Sequence, residues 1–415
     1  MKGKQEMPNS QICNHINCTC CEACAQICPK SCIFFRENDD GFRYPVIDAG
    51  QCVDCGLCRK ICPVNSPVQP NQDSSFYMGW HRDDNIRSNS SSGGFFSALA
   101  DYILNKGGVV FGASMDQSSR TVYHIMLSDR SGMQMLRLSK YYQSEIHNAY
   151  LQAKQFLDED RMVLFTGTAC QIAGLYRVCG KPSNLFTMDI LCHGVTNKKV
   201  VHSYILSKEK QFGKKIKNYW FRTKAGNAGW QSGGGTRMKL QFTDDTIFVA
   251  DKWEDTFFSG FNENLMLRES CYHCQYCGTQ RIADFTAADF WGVTPKRAAE
   301  EERKKGISLL LANSEKARDL LEELRNDFVF SKIDPSEAIP YNRSLTEPNQ
   351  RPEDRNKFFA YMRAGKDYDW IIHKLLWKKY TKIGIKKCIV KVIGESSFNH
   401  LKSQIKGHKK VKENG

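Results

Sequence analysis

Apolar positions recur at helical spacing through Phe95, Leu99 and Tyr102/Ile103, so a helix is predicted over residues 95–104. Asn105-Lys-Gly-Gly108 ends it, and Val109-Val-Phe111 opens a strand. Residues 121–127 read as a second strand and 149–157 as a helix. Met162–Phe165 and Leu185–Leu191 are short apolar runs of the kind a sheet buries on both faces. Each leads into a turn that carries a cysteine, Cys170 or Cys192. Lys239 to Ala250 alternates like a hairpin, Ile307–Ala312 reads as a strand, and Glu315–Arg325 as a charged helix. Trp370 to Trp377 is apolar and passes into lysine-rich turns. The pattern predicts a mixed α/β domain with reactive groups at its strand ends, where such sheets collect ligands.

The chain before residue 64 is different. Residues 1–17 read as a polar arm, 18–63 as a cysteine-rich module and 64–75 as a linker rich in proline and small polar residues. The larger domain is expected over 76–360, in an N-terminal part to about 160 and a C-terminal part from about 161. A basic helix and tail follow over 361–415. The fold class expected is α+β/α/β, a small ferredoxin-like domain followed by a larger mixed α/β domain.

Hydrophobic residues are 41% and charged residues 25% of the 415, which excludes wholesale disorder. No apolar run approaches the roughly 20 residues of a membrane span. Met1 to Gln11 has no apolar core of a secretory signal, so a cytoplasmic location is expected. The formal charge is +14, of which +9 falls after Gly365. That segment is either a solvated helix and tail or a weak contact for an anionic membrane surface or acidic partner. No zinc finger or aromatic RNA-binding motif occurs, and no nucleic-acid partner is expected.

Eighteen cysteines in a reducing compartment point to metal or redox chemistry rather than disulfides. Cys18-x2-Cys21-x2-Cys24-x3-Cys28-Pro29 recurs as Cys52-x2-Cys55-x2-Cys58-x3-Cys62-Pro63. Three closely spaced thiolates wrap one 4Fe-4S cluster, and the fourth cysteine ligates the other. One cluster then takes Cys18, Cys21, Cys24 and Cys62, and the second Cys52, Cys55, Cys58 and Cys28. Paired zinc sites would leave the third cysteine and the proline of each copy unexplained. The module resembles two-cluster bacterial ferredoxins over residues 18–63. Cys13, Cys20 and Cys32 are left over, and Cys20 occupies a position where such ferredoxins often have glycine.

In the larger domain, Cys170 and Cys192 follow adjacent-looking strands, and Cys271 and Cys274 form a Cys-x2-Cys pair. Together they supply four thiolates, enough for a third cluster, with Cys277 an alternative to Cys274. Buried core cysteines are the competing reading. Asp284 and Asp289 flank a strand. Neither a dinucleotide-binding glycine fingerprint nor a Walker loop is present.

The order of Ser91-Ser-Gly-Gly94-Phe, Lys106-Gly-Gly-Val-Val-Phe-Gly112, Ser139-Lys-Tyr-Tyr-Gln-Ser144, Gly167-Thr-Ala-Cys170-Gln, Asp189-Ile-Leu-Cys192-His-Gly194, Ser270-Cys-Tyr-His-Cys274, Asp289-Phe-Trp-Gly292 and Lys305-Gly-Ile-Ser308 resembles the beta-subunit family of coenzyme F-420-reducing hydrogenase and dehydrogenase. The resemblance runs over residues 18 to about 360. It implies an iron–sulfur flavoprotein oxidoreductase, with FAD beside the third cluster and an organic or deazaflavin-like acceptor. Implied partners are a ferredoxin or a hydrogenase/dehydrogenase subunit. Ala169 stands where the family turn usually has proline. Ser91, Ser92, Gly93 and Gly94 before a helix are candidates for the flavin phosphates. Lys140 is a phosphate or flavin-facing candidate, and Asp289 a candidate for the FAD hydroxyls. His193 is either a proton donor or a histidine held by backbone bonds. A non-catalytic electron-transfer subunit is the alternative reading.

Overall fold

The computed structural model describes residues 11–224, 230, 237–251 and 254–393. Positions 1–10 of the polar arm and 394–415 of the basic tail lie outside the described residues. The cysteine-rich module contains the antiparallel hairpin β1 (Ile33–Glu37) and β2 (Arg43–Ile47). Short helices Ala23–Gln26 and Leu57–Ile61 lie within the two cysteine runs and carry Cys24 and Cys58. The strands of the larger region are β3 (Ser75–His81), β4 (Val109–Asp116), β5 (Thr121–Leu127), β6 (Val163–Thr168), β7 (Leu185–Ile190), β8 (Ile216–Trp220), β9 (Arg237–Phe242), β10 (Ile247–Asp251), β11 (Phe285–Asp289), β12 (Ser308–Ala312) and β13 (Phe328–Lys332).

Eight of these form one sheet in the order β13-β3-β12-β11-β7-β6-β4-β5. Its centre, β11-β7-β6-β4, is parallel, and its flanks are antiparallel. The apolar runs are central because alternate side chains enter opposite cores. Val110, Leu164 and Met188 pack with helix Phe95–Asn105 on one face. Val109, Phe111, Val163 and Phe165 pack with helices Ala149–Asp158 and Ala169–Cys179 on the other. The expected break at 160/161 falls within this sheet, since β4 pairs directly with β6.

Where alternation predicts a hairpin over Lys239 to Ala250, the structure holds a second, three-stranded sheet, β10-β9-β8. It shares a core with helices Lys198–Phe212, Thr256–Asn262 and Tyr368–Leu375 and with Phe42 and Tyr44 of the cysteine-rich module. Helix Arg355–Arg363 crosses the expected boundary at 360/361, with Phe358 and Phe359 buried in that core. Residues 64–74 form no helix or strand, yet Asn71 bonds to the carbonyls of Arg281, Ile282 and Ala283, and Ser74 to that of Thr279. Among the described residues no helix is long and apolar enough to cross a membrane.

Candidate iron–sulfur centre and cleft

The two cysteine runs adopt the same backbone path. Cys20 and Glu22 in the first, and Asp54 and Gly56 in the second, have φ of 52°, 65°, 49° and 69°. Glycine suits such left-handed positions, which accounts for its frequency where this chain has Cys20. Glu22 has partners of its own there: its carboxylate accepts from the Ile146 and His147 amides at 3.1 Å and pairs with Arg43 at 3.1 Å.

The thiols gather in three sets. Cys18, Cys21, Cys24 and Cys62 are all buried and act on one another electrostatically. Cys13 lies beside Cys18 and Cys62. Cys28, Cys52, Cys55 and Cys58 line a separate pocket together with Cys32. Cys32 Sγ lies 3.4 Å from Cys28 Sγ. Cys62 and Cys28 thus each sit with the other run. The second set is at the surface, with Cys55 exposed.

The third set is built at the carboxyl ends of β6 and β7. Thr168 and Ile190 are register partners, and Cys170 and Cys192 stand two residues beyond each. Helix Ala169–Cys179 starts at once because Thr168 and Gln171 form a capping box. That places Cys170 in its first turn, with Sγ 3.1 Å from Thr168 Oγ1. Cys271 comes from the 3-10 turn Glu269–His273, and Cys274 follows it in extended backbone. Cys170, Cys192, Cys271, Cys274 and Cys277 line one cavity. Burial pushes the Cys170 thiol up to about 11 and that of Cys271 to about 12. A hydrogen bond from Cys277 holds Cys274 down at about 7.

Among the described residues no group of three or more His, Cys, Asp or Glu converges on a point suited to one metal ion.

The first and third sets are neighbours. Gly174 on the helix after Cys170 approaches so closely that a Cβ there would lie 3.2 Å from Cys21 Cβ. Tyr150 Oη lies 3.0 Å from Cys21 O and 2.8 Å from Gln171 O.

A cleft of about 650 Å³ opens beside the third set, and Cys170, Cys192 and His193 line both it and the cysteine cavity. His193 Nε2 meets Phe261 O at 3.3 Å, and burial lowers the imidazole below its usual range. Lys140 lines the cleft, but its ammonium donates to Met135 O and Arg137 O at 2.9 and 2.8 Å. Burial brings that ammonium down to about 7.

Ser91, Ser92 and Gly94 also line the cleft. The Ser91 hydroxyl is committed to the Ser139 amide at 3.0 Å, and the Ser92 hydroxyl to Ile307 O at 2.9 Å. What this turn leaves for an anion is backbone. Gly94, at φ +93°, opens helix Phe95–Asn105, whose first-turn Phe95 and Phe96 amides have no intrahelical acceptor. Gly93 fixes the turn against the sheet, since a Cβ there would meet Gly79 O at 2.4 Å and Ser308 N at 2.7 Å. Gly93→Ala is therefore expected to lower stability by about 1–3 kcal/mol, as overpacking does. Denaturant unfolding checks this, and an unchanged midpoint would contradict the packing.

Asp289, at the end of β11, does not face the cleft alone. Arg222 holds it at 2.9 and 3.3 Å and also donates to Ser91 O at 2.9 Å. Sequence reasoning missed Arg222, which has no local pattern and meets Asp289 across 67 positions. Asp284 is turned inward to the Thr187 amide and hydroxyl at 2.9 Å, away from a ligand role.

Residues 160–337 match the family model for the C terminus of the coenzyme F420 hydrogenase/dehydrogenase beta subunit. Residues 17–66 match that for the 4Fe-4S dicluster domain. The curated relatives are similar through the cysteine-rich module. Ferredoxin-1 of Caulobacter vibrioides is 32% identical over 57 residues, covering 14% of this chain and 45% of that protein. The ferredoxin-like protein in the vnf region of Azotobacter vinelandii is 36% identical over 58 residues, 14% of this chain and 86% of its own. The chain spans about half the length of the first curated relatives, 45%, 41% and 50%. Among solved structures, a chain of the F420-reducing [NiFe] hydrogenase complex from Methanosarcina barkeri aligns at TM-score 0.45 and 14% identity, over 72% of this chain and 91% of that one.

Proposed function

Because the chain belongs to the coenzyme F420 hydrogenase/dehydrogenase beta-subunit family and carries a 4Fe-4S dicluster domain, we propose that this iron–sulfur electron-transfer protein is a flavin-dependent oxidoreductase. Its cofactors would be two ferredoxin clusters, a third cluster and FAD. Bound FAD would supply the conversion between single electrons and a two-electron transfer to an organic or deazaflavin-like acceptor.

One observation carries the reading: Cys170, Cys192 and His193 are walls of both the third cysteine cavity and the wide cleft. A cofactor in each would meet the other across these side chains and the shared walls Thr168, Val195 and Ser344. At about 650 Å³ the cleft lies within the roughly 300–1,000 Å³ of ordinary small-molecule pockets, room for one cofactor-sized molecule. The Phe95 and Phe96 amides, with Arg137, would hold its pyrophosphate. Arg222 would fix the Ser91 turn and Asp289 in place for the rest. Such a site favours chemistry in this chain over passive relay. The exposed end at Cys55 has Val53 58% and Leu57 39% exposed beside it, a surface fit for a redox partner protein.

Rapid mixing of the iron- and FAD-loaded protein with a reduced ferredoxin tests the proposal. The expected result is loss of oxidised-flavin absorbance after the clusters bleach, restored by a deazaflavin acceptor. Bleached clusters beside a persistently oxidised flavin would overturn it.

A further inference from the structure

Five arginines among the described residues are almost wholly buried: Arg87, Arg222, Arg268, Arg281 and Arg355. Four of them face a carboxylate, on Glu302, Asp289, Asp189 and Glu269 respectively. Arg268, 1% exposed, has no carboxylate within ion-pair distance among the described residues. An uncompensated buried charge costs several kcal/mol, and arginine does not escape by losing its proton.

Its surroundings identify what compensates it. Nε donates to Cys18 O at 2.9 Å, and Nη2 to Arg43 O at 2.7 Å. The guanidinium lies 4.4 Å over the Tyr44 ring. These contacts bring the charge to the first cysteine set. The same side chain lines the third cysteine cavity. Its backbone amide donates to Val195 O at 2.8 Å, and its carbonyl accepts from the Cys271 amide at 3.0 Å. One residue thus joins the loops carrying Cys192, Cys271 and Cys18.

We propose that Arg268 is the shared positive charge between the cluster on Cys18, Cys21, Cys24 and Cys62 and the cluster on Cys170, Cys192, Cys271 and Cys274, and that it raises the reduction potential of both. The part concerning the second of these rests on the third-cluster reading above. A cluster held by four thiolates is an anion, and adding an electron deepens its charge. A fixed cation in a water-poor site stabilises the reduced form more than the oxidised one. The clusters in turn are the counter-charge that Arg268 lacks. Arg268 is a positioning residue, since it reaches carbonyls and cavity walls rather than reacting atoms.

The test compares Arg268→Gln and Arg268→Lys in the full chain. Iron content and EPR-monitored redox titration are the readouts. Arg268→Lys is expected to assemble its clusters at potentials close to wild type, and Arg268→Gln to shift them lower. Cluster assembly in Arg268→Lys but not in Arg268→Gln would also support the charge, because both variants lose the guanidinium fork. Arg268→Gln with full iron and wild-type potentials would overturn the proposal. So would equal loss of iron in both variants, which would make the fork alone the essential feature. A wild-type chain with about 8 irons, two clusters of four, would remove the third cluster while leaving the shift at the ferredoxin cluster to be read.

Discussion

Replacing Cys192 with serine is expected to remove about four irons per chain, one cubane's worth, while both ferredoxin-type EPR signals persist. Cys192 stands beyond the end of β7 and lines the third cavity with Cys170, Cys271 and Cys274. The two ferredoxin sets lie on separate loops and share none of their proposed ligands with it. Cys179→Ser is the control. Its thiol donates to Tyr150 O at 3.3 Å and lines none of the cysteine cavities, so iron should be unchanged. Unchanged iron in Cys192→Ser would mean that the third set holds no cluster through this residue.

Asp189→Ala is expected to cost about 3–5 kcal/mol, the penalty for stranding one partner of a buried ion pair. Asp189, on β7, is wholly buried and accepts from Arg281 Nη2 at 2.9 Å. Burial raises its carboxyl pKa despite the nearby guanidinium. Without it, Arg281 keeps Thr286 Oγ1 at 3.2 Å and the Tyr276 carbonyl, but no charge partner among the described residues. Arg281 also lines the third cavity, so loss of stability should be accompanied by loss of iron there. Urea unfolding of the variant beside Asp189→Leu/Arg281→Met distinguishes the causes. The double variant should recover much of the stability, since removing both charges leaves none stranded. A single-variant loss below about 1 kcal/mol would show that water reaches the pair.

The parts of this molecule written in local spacing were legible. The paired cysteine runs, the helix after Gly94 and the apolar strands ending near Cys170 and Cys192 all follow from patterns within about ten residues. Adjacency of β6 and β7 then brings Cys170 and Cys192 together. The parts made by distant contacts were not legible. Arg222 meets Asp289 only after folding, and the Ser91 and Ser92 hydroxyls are spent on Ser139 and Ile307. Lys140 is held by carbonyls within its own turn, which a lysine's identity does not announce. Cys13 and Cys32 were unassigned because neither fits the repeat, yet each lies against ligand candidates. The β10-β9-β8 unit was missed in part because β8 alone is a five-residue strand with a bulged register.

The most direct test is the iron, sulfide and flavin content of the full chain purified without oxygen and offered FAD. The account predicts about 12 irons and 12 sulfides, three clusters of four, with one flavin per chain. About 8 irons and no retained flavin would contradict it and reduce the larger domain to a scaffold for the ferredoxin module.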